Sequence, residues 1–304
     1  MLKLRNSIDI NIPFGIEIEF SKANLEVLRK IVSKLHDEHK ISESIINTEY
    51  KRWQVKTDKS ITENIGSSEY GGELISPILI DSYNTWQDIS LLCNLLKEND
   101  AKIYDIEAGH IHISSSILNN SSINFYRLFK LWVAFEDIIF KFSYNGNDAR
   151  KNIFLFAAPM YKMFFEYQKD MELASNMHDI FKLDFSDRNY ALNFENYMKV
   201  YKGIKKDKNT IEIRCPNGSL DPIIWQNNVN FFIKLINYAV SDKFDEEKIK
   251  YYINNNHYSD ILSMSFNTYS NINMDKANIL ANLIFKGDID KYYFMEQYTK
   301  ILKR

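Results

Sequence analysis

The sequence predicts an α+β protein built on an antiparallel sheet, with helices covering one face and a helical C-terminal stretch. Three observations predict it. Strand-like segments concentrate in the first two-thirds of the 304 residues. They fall into hairpin-like pairs, with few of the βαβ units a parallel sheet requires. From Asp221 onward the pattern is helical.

The elements follow in order. Residues 13–20 (PFGIEIEF) alternate strictly and predict a strand, and residues 22–39 carry apolar side chains at helical spacing. Residues 50–56 and 70–78 predict strands, and 83–99 an amphipathic helix ending before Asn99 and Asp100. Residues 103–114 predict a strand broken between Glu107 and Gly109, and 121–143 one long apolar helix capped by Ser121 or Ser122. Residues 188–201 and 209–214 predict two strands around the Lys-rich turn KGIKKDKN, whose KKDK run reads as a solvated tip. Residues 221–241 predict one helix, 244–303 several shorter ones, and 145–187 a loop region of little pattern. The division expected is a catalytic unit over 1–240 with a helical extension over 241–304 packed on it.

Composition narrows the function classes. Apolar residues make up 45% and charged residues 26%, ordinary for a folded globular chain. A formal net charge of -2 provides no global field for nucleic acid or an anionic membrane. The first residues show no signal-peptide pattern, and no apolar run reaches the ~20 residues of a membrane span. Two cysteines, Cys93 and Cys215, form no disulfide framework. A reducing, cytoplasmic setting is the expectation.

The informative feature is a repeated violation of strand chemistry. Residues at i and i+2 of a strand share a face. Glu17 and Glu19 share one in GIEIEF, against Ile16, Ile18 and Phe20. His110 and His112 share one in GHIHIS, and Glu212 and Arg214 in TIEIRCP. Glu73 follows two glycines in GGELISPIL, where a missing side chain permits close approach. A single wet face would explain any one strand. Jointly, however, these are residue types that ligate hard cations and grip phosphate. Clustered carboxylates repel one another unless a cation sits among them. Carboxylates with an imidazole suit Mg²⁺ or Mn²⁺, and Mg²⁺ commonly pairs protein carboxylates with substrate phosphates. No P-loop and no GxGxxG is present, so metal and arginine would hold a nucleotide. Arg214, Arg188 and Arg150 are the arginines placed near these segments.

GIEIEF, VKTDKSI, GGELISPIL, AGHIHIS, RNYALNF and TIEIRCPNGSLDP resemble, in order and rough spacing, the motifs of the amidoligase family, which is related to glutamate–cysteine ligase and glutamine synthetase. The resemblance covers about residues 13–235. It implies a glutamine-synthetase-like curved antiparallel sheet with helices on its outer face, binding ATP and two or three Mg²⁺ ions. By motif match, Glu17, Glu19, Glu73, His110 and Glu212 resemble the metal ligands, and His112 lies nearer the nucleotide. Arg214 resembles a phosphate-gripping side chain. Arg150, Arg188 and Asn193 resemble further groups at the nucleotide or the transferring phosphoryl. Asp58 is a candidate proton acceptor, although Lys59 follows it where the family has glycine. Cys215 is given no catalytic role.

The implied reaction is ATP-dependent amide formation. ATP phosphorylates a carboxylate, an amine attacks the acyl phosphate, and phosphate leaves. The partners are a small-molecule or peptide acid and amine, with neither nucleic acid nor membrane, and the oligomeric state is left open. Two alternatives stand beside it: a Mg²⁺-dependent phosphohydrolase or nucleotidyltransferase on the same carboxylates, and a non-catalytic binding member of the family.

Overall fold

The structure, a computed structural model, describes residues 8, 11–44, 50–66, 69–147, 149–185, 187–204, 208–256 and 273–300. Its centre is one antiparallel sheet made of β1 (Phe14–Asn24), β2 (Gln54–Lys56), β3 (Tyr70–Ile75), β4 (Gly109–Ser114), β5 (Leu192–Asn193) and β6 (Thr210–Ile213). The strand order is β2-β3-β1-β4-β6-β5, and every neighbouring pair is antiparallel.

Alternation decides which face is buried. Phe14, Ile16, Ile18 and Phe20 of β1 share a face with Leu74, Ile111, Ile113, Ile211 and Ile213, and all nine are at most 3% exposed. Against it lie α1 (Leu25–Asp37) and α3 (Tyr83–Glu98), which contribute Leu28, Val32, Trp86, Ile89 and Leu92 to the same core. Trp86 stacks on Phe14 at 5.8 Å. Each such aliphatic side chain gains about 1.5–3 kcal/mol from leaving water. The Asn24 side chain accepts from Val27 N to start α1, and Ser82 accepts from Thr85 N to start α3. The opposite face of the sheet carries the polar residues.

The remaining helices are α2 (Lys59–Ile65), α4 (Ser122–Ala134), α5 (Glu136–Ser143), α6 (Ile153–Phe156), α7 (Tyr161–Leu173), α8 (Met177–Ile180), α9 (Glu195–Tyr201), α10 (Pro222–Ala239), α11 (Glu246–Asn255), α12 (Met274–Ile284) and α13 (Asp288–Tyr298). The C-terminal helices pack on α4, α5 and α10. Phe231 of α10 lies 4.4 Å from the Phe142 ring and 5.2 Å from Phe294. A buried amide network ties the same elements: Gln297 Nε2 donates to Asn228 Oδ1 at 2.7 Å and to Asn145 Oδ1 at 3.1 Å, and Asn227 Nδ2 donates to Gln297 Oε1 at 2.9 Å. No described helix is long and apolar enough to cross a membrane.

The structure departs from the sequence expectations at several places. The helix expected over 121–143, capped by Ser121 as anticipated, breaks at Phe135, whose φ is -122°. Asn256 Nδ2 donates to the carbonyls of Val133 and Ala134, both at 3.1 Å, which satisfies groups freed by the break. The strand expected over 188–201 shrinks to Leu192–Asn193, because Asn193 Oδ1 accepts from Glu195 N at 2.8 Å and the chain turns into α9. The strand expected over 103–114 begins only at Gly109. Residues 145–187 hold three helices that pattern did not reveal, and α2 was not foreseen either. Of the KKDK turn, 205–207 lie outside the described residues, as do 257–272 and 301–303 of the C-terminal segment.

The α4–α5 break serves a buried carboxyl. Glu136 accepts from Trp132 Nε1 at 3.0 Å, Met160 N at 2.6 Å and Tyr161 N at 3.3 Å. Burial pushes it up to about 8 from 4.5, against those three donors. Between these values the folded chain holds a proton that the unfolded chain has released, so stability falls as pH rises through the window. The urea midpoint of the wild type should therefore drop more steeply between about pH 5 and pH 8 than that of Glu136→Gln. Equal slopes would show that Glu136 does not titrate in this range.

Candidate active site

Register brings the polar residues together. Residues directly opposite in an antiparallel pair share a face. Glu19 of β1 faces Glu73 of β3, and Glu17 faces His110 of β4. His112 of β4 faces Glu212 of β6, and Glu212 also faces Asn193 of β5. Five strands thus place Glu17, Glu19, Glu73, His110, His112, Asn193 and Glu212 on one side of the sheet. Apart from Glu73, these are all buried.

Glu17 is the centre. Its Oε2 lies 3.3 Å from His110 Nδ1, and its Oε1 lies 2.9 Å from His112 Nε2 and 3.1 Å from Lys208 Nζ. His110 also approaches Glu19 at 3.8 Å and Glu212 at 3.7 Å. Glu19 accepts from Ala108 N at 2.6 Å. Glu212 accepts from Arg214 Nη1 at 2.6 Å and from Asn193 Nδ2 at 2.8 Å. The amide of Asn193 is engaged at both ends, so it orients Glu212 rather than reaching for a ligand.

Charge is unbalanced here. Burial raises the Glu73 carboxyl, and the charges of Glu17, Asp58 and Glu19 push it further, to about 8. Burial also raises Glu19, beyond what His110 and Arg150 offset. Burial works the same way on Glu17 and Glu212, but is overcome there. The electrostatic pull of His112, His110 and Lys208 holds Glu17 well below its ordinary range. His112, Arg214 and His110 lower Glu212.

The donor set fits a divalent cation. Glu17, His112 and Glu212 each offer a ligand atom, and these atoms lie within 4.8 Å of one another. His112 Nε2 is buried and, despite its nearness to Glu17, makes no hydrogen bond. Its other nitrogen, Nδ1, has Thr210 Oγ1 at 3.4 Å. A proton on Nδ1 leaves the Nε2 lone pair aimed at the carboxylates, the arrangement of a ligating imidazole. Sequence reasoning named His110 as the ligand and set His112 nearer the nucleotide. The compact triad includes His112, and His110 stands between the carboxylates, 3.3 Å from Glu17 and 3.7 Å from Glu212.

The other candidates lie as follows. Arg214 Nε donates to Phe156 O at 3.0 Å, which fixes the guanidinium beside Glu212. Arg150 is buried, donating from Nη2 to Arg214 O at 2.7 Å. It lines a cleft of about 590 Å³ with Lys97, Lys102 and Asn217 at the Glu19 end of the strands. Asp58 Oδ1 accepts from Ser60 N at 2.7 Å and Ile61 N at 3.2 Å, starting α2, while its charge bears on Glu19 and Glu73. Lys59 has no left-handed backbone, so glycine is not required after Asp58. Arg188 is exposed on the turn before β5 and touches none of the carboxylates among the described residues. Cys215 is buried against Ser143 Oγ at 3.3 Å, in keeping with a packing role.

Sequence reasoning missed Lys208. The spacing of Lys208, Thr210 and Glu212 gives all three the same strand parity, a signal hidden by the Lys-rich turn. Lys208 and His112 border a cavity of about 220 Å³ walled by Tyr50, Ile75, Pro77 and Ile78.

Residues 11–236 match the family described as "Putative amidoligase enzyme". No curated protein matches the chain.

Proposed function

The chain belongs to the amidoligase family, and from that premise we propose that it is an ATP- and Mg²⁺-dependent carboxylate–amine ligase working through an acyl phosphate. One observation carries this reading. Three buried ligand atoms lie within 4.8 Å of one another, beside Glu73, which burial and then the neighbouring carboxylates raise to about 8. Such a cluster is poised for a divalent cation in place of protons.

Glu17, His112 and Glu212 would hold the ion, with Glu19 and Glu73 beside them for a second. Bound Mg²⁺ supplies neutralisation of phosphate oxygens and in-line orientation. Arg214 uses Nε and one Nη1 proton on Phe156 O and Glu212. Among the described residues its remaining donors have no partner, which leaves them for the phosphoryl group, a preorganised placement of positive charge. Asn193 and the Glu212–Arg214 pair keep that guanidinium oriented, and Arg150 fixes the backbone beneath it. The apolar cavity at Tyr50 suits the base of a nucleotide. Asp58, fixed at the start of α2, is the carboxylate assigned to accept the amine's proton. Arg188 stands outside this arrangement.

The test is ADP release with Mg²⁺ across pooled amino acids and amines. The expected result is release that requires an acid and an amine together. ATP hydrolysis indifferent to the amine would replace this reading with phosphohydrolysis on the same carboxylates.

A further inference from the structure

Lys208 is a basic side chain turned inward just before β6. Its ammonium lies 3.1 Å from Glu17 Oε1, feels Glu212 as well, and sits 5.5 Å from the centre of the Tyr50 ring. Only 21% of the side chain is exposed. The residue has φ of 61°, a left-handed conformation that non-glycine residues rarely adopt. Lys208 O accepts from Thr210 N at 2.9 Å within that turn. This backbone delivers the side chain to the sheet immediately before β6 begins. The same side chain borders the cavity that holds Tyr50 and His112, so it lies between the metal-ligand triad and the space beside it.

An ammonium on Glu17 Oε1 occupies the oxygen that lies 2.9 Å from His112 Nε2, the place where a divalent ion shared by the two would bind. Two cations cannot share that oxygen without strong repulsion. The four-carbon stem of lysine allows the head to swing while its Cα stays in place. A nucleotide whose phosphates reach the triad from the cavity would bring anionic oxygens past Nζ. We propose that Lys208 has two positions: it is the counter-cation of Glu17 in the metal-free site, and it becomes a ligand of the nucleotide's phosphates once a divalent ion takes Glu17. This rests on the ligase reading above.

The two roles predict effects of opposite sign in one variant. Lys208→Met keeps the length and removes the charge. Mn²⁺ binding to the full chain without nucleotide, followed by its paramagnetic resonance signal, should tighten by about tenfold. Binding of ATP with Mg²⁺, measured by calorimetry, should weaken by about tenfold or more. Lys208→Arg, which preserves charge, should keep both affinities near the wild type and serves if the methionine variant fails to fold. Unchanged Mn²⁺ affinity in Lys208→Met, unchanged ATP affinity, or a parallel loss of both overturns the proposal. So does loss of either affinity in Lys208→Arg. These failures leave the ligase reading standing if the wild type binds Mn²⁺ tightly. A wild type that binds no Mn²⁺ ends both.

Discussion

Glu17→Gln is expected to lose Mn²⁺ binding and amine-dependent ADP release by about a hundredfold or more, while far-ultraviolet circular dichroism stays unchanged. The magnitude follows from removing a charge at a preorganised electrostatic site, which costs about 2.7–4 kcal/mol of transition-state stabilisation. Glu17 has His110, His112 and Lys208 all within 3.3 Å. Glutamine preserves shape but turns a carboxylate into a dipole that presents N–H groups to neighbours expecting an acceptor. The fold should survive because Glu17 points away from the apolar core, and its backbone still pairs with Ile75 and His110. Glu212→Gln should behave similarly, with an added loss of Arg214 orientation through the 2.6 Å contact. Normal turnover in Glu17→Gln would remove the basis for a metal at this face.

The faces of the strands were legible because alternation is local. Ile16, Ile18 and Phe20 had to go one way, which sent Glu17 and Glu19 the other. The same holds for Ile111 against His110 and His112, and for Ile213 against Glu212 and Arg214. What alternation does not specify is which residue stands opposite which. That Glu19 meets Glu73, and His112 meets Glu212, depends on register between segments far apart in the chain. The choice between His110 and His112 turns on that gap: both share a face, and only register sets His112 directly opposite Glu212. The cations were harder still. Lys208 sat in a run read by its composition, and Arg150 lay in a segment with no periodicity. Residues 195–201 did carry a helix signal, since Glu195 and Lys199 form an i,i+4 ion pair, but the preceding apolar alternation obscured it.

Gly72 is where the close approach inferred from GGELISPIL becomes a steric limit, and Gly72→Ala is expected to cost about 3 kcal/mol or more of stability. A Cβ on Gly72 would lie 2.2 Å from Lys56 O and 3.0 Å from Leu25 Cδ2. The leucine can rotate, but the carbonyl belongs to the backbone of β2, which pairs directly with β3 through Lys56 opposite Glu73. Relief therefore requires the two strands to separate, at the edge of the sheet where β2 pairs with β3 alone among the described strands. The loss should appear as a melting point lower by roughly 5–10 °C. Because Glu73 is the next residue along β3, the separation should also displace a carboxylate of the proposed site and weaken Mn²⁺ binding. Gly66→Ala separates steric from conformational causes. Gly66 has φ of 67° with open space around its Cβ position, so its cost is confined to the backbone, about 1 kcal/mol. Equal losses in the two variants would mean that Gly72 is needed for chain conformation and not for the packing of β2 on β3.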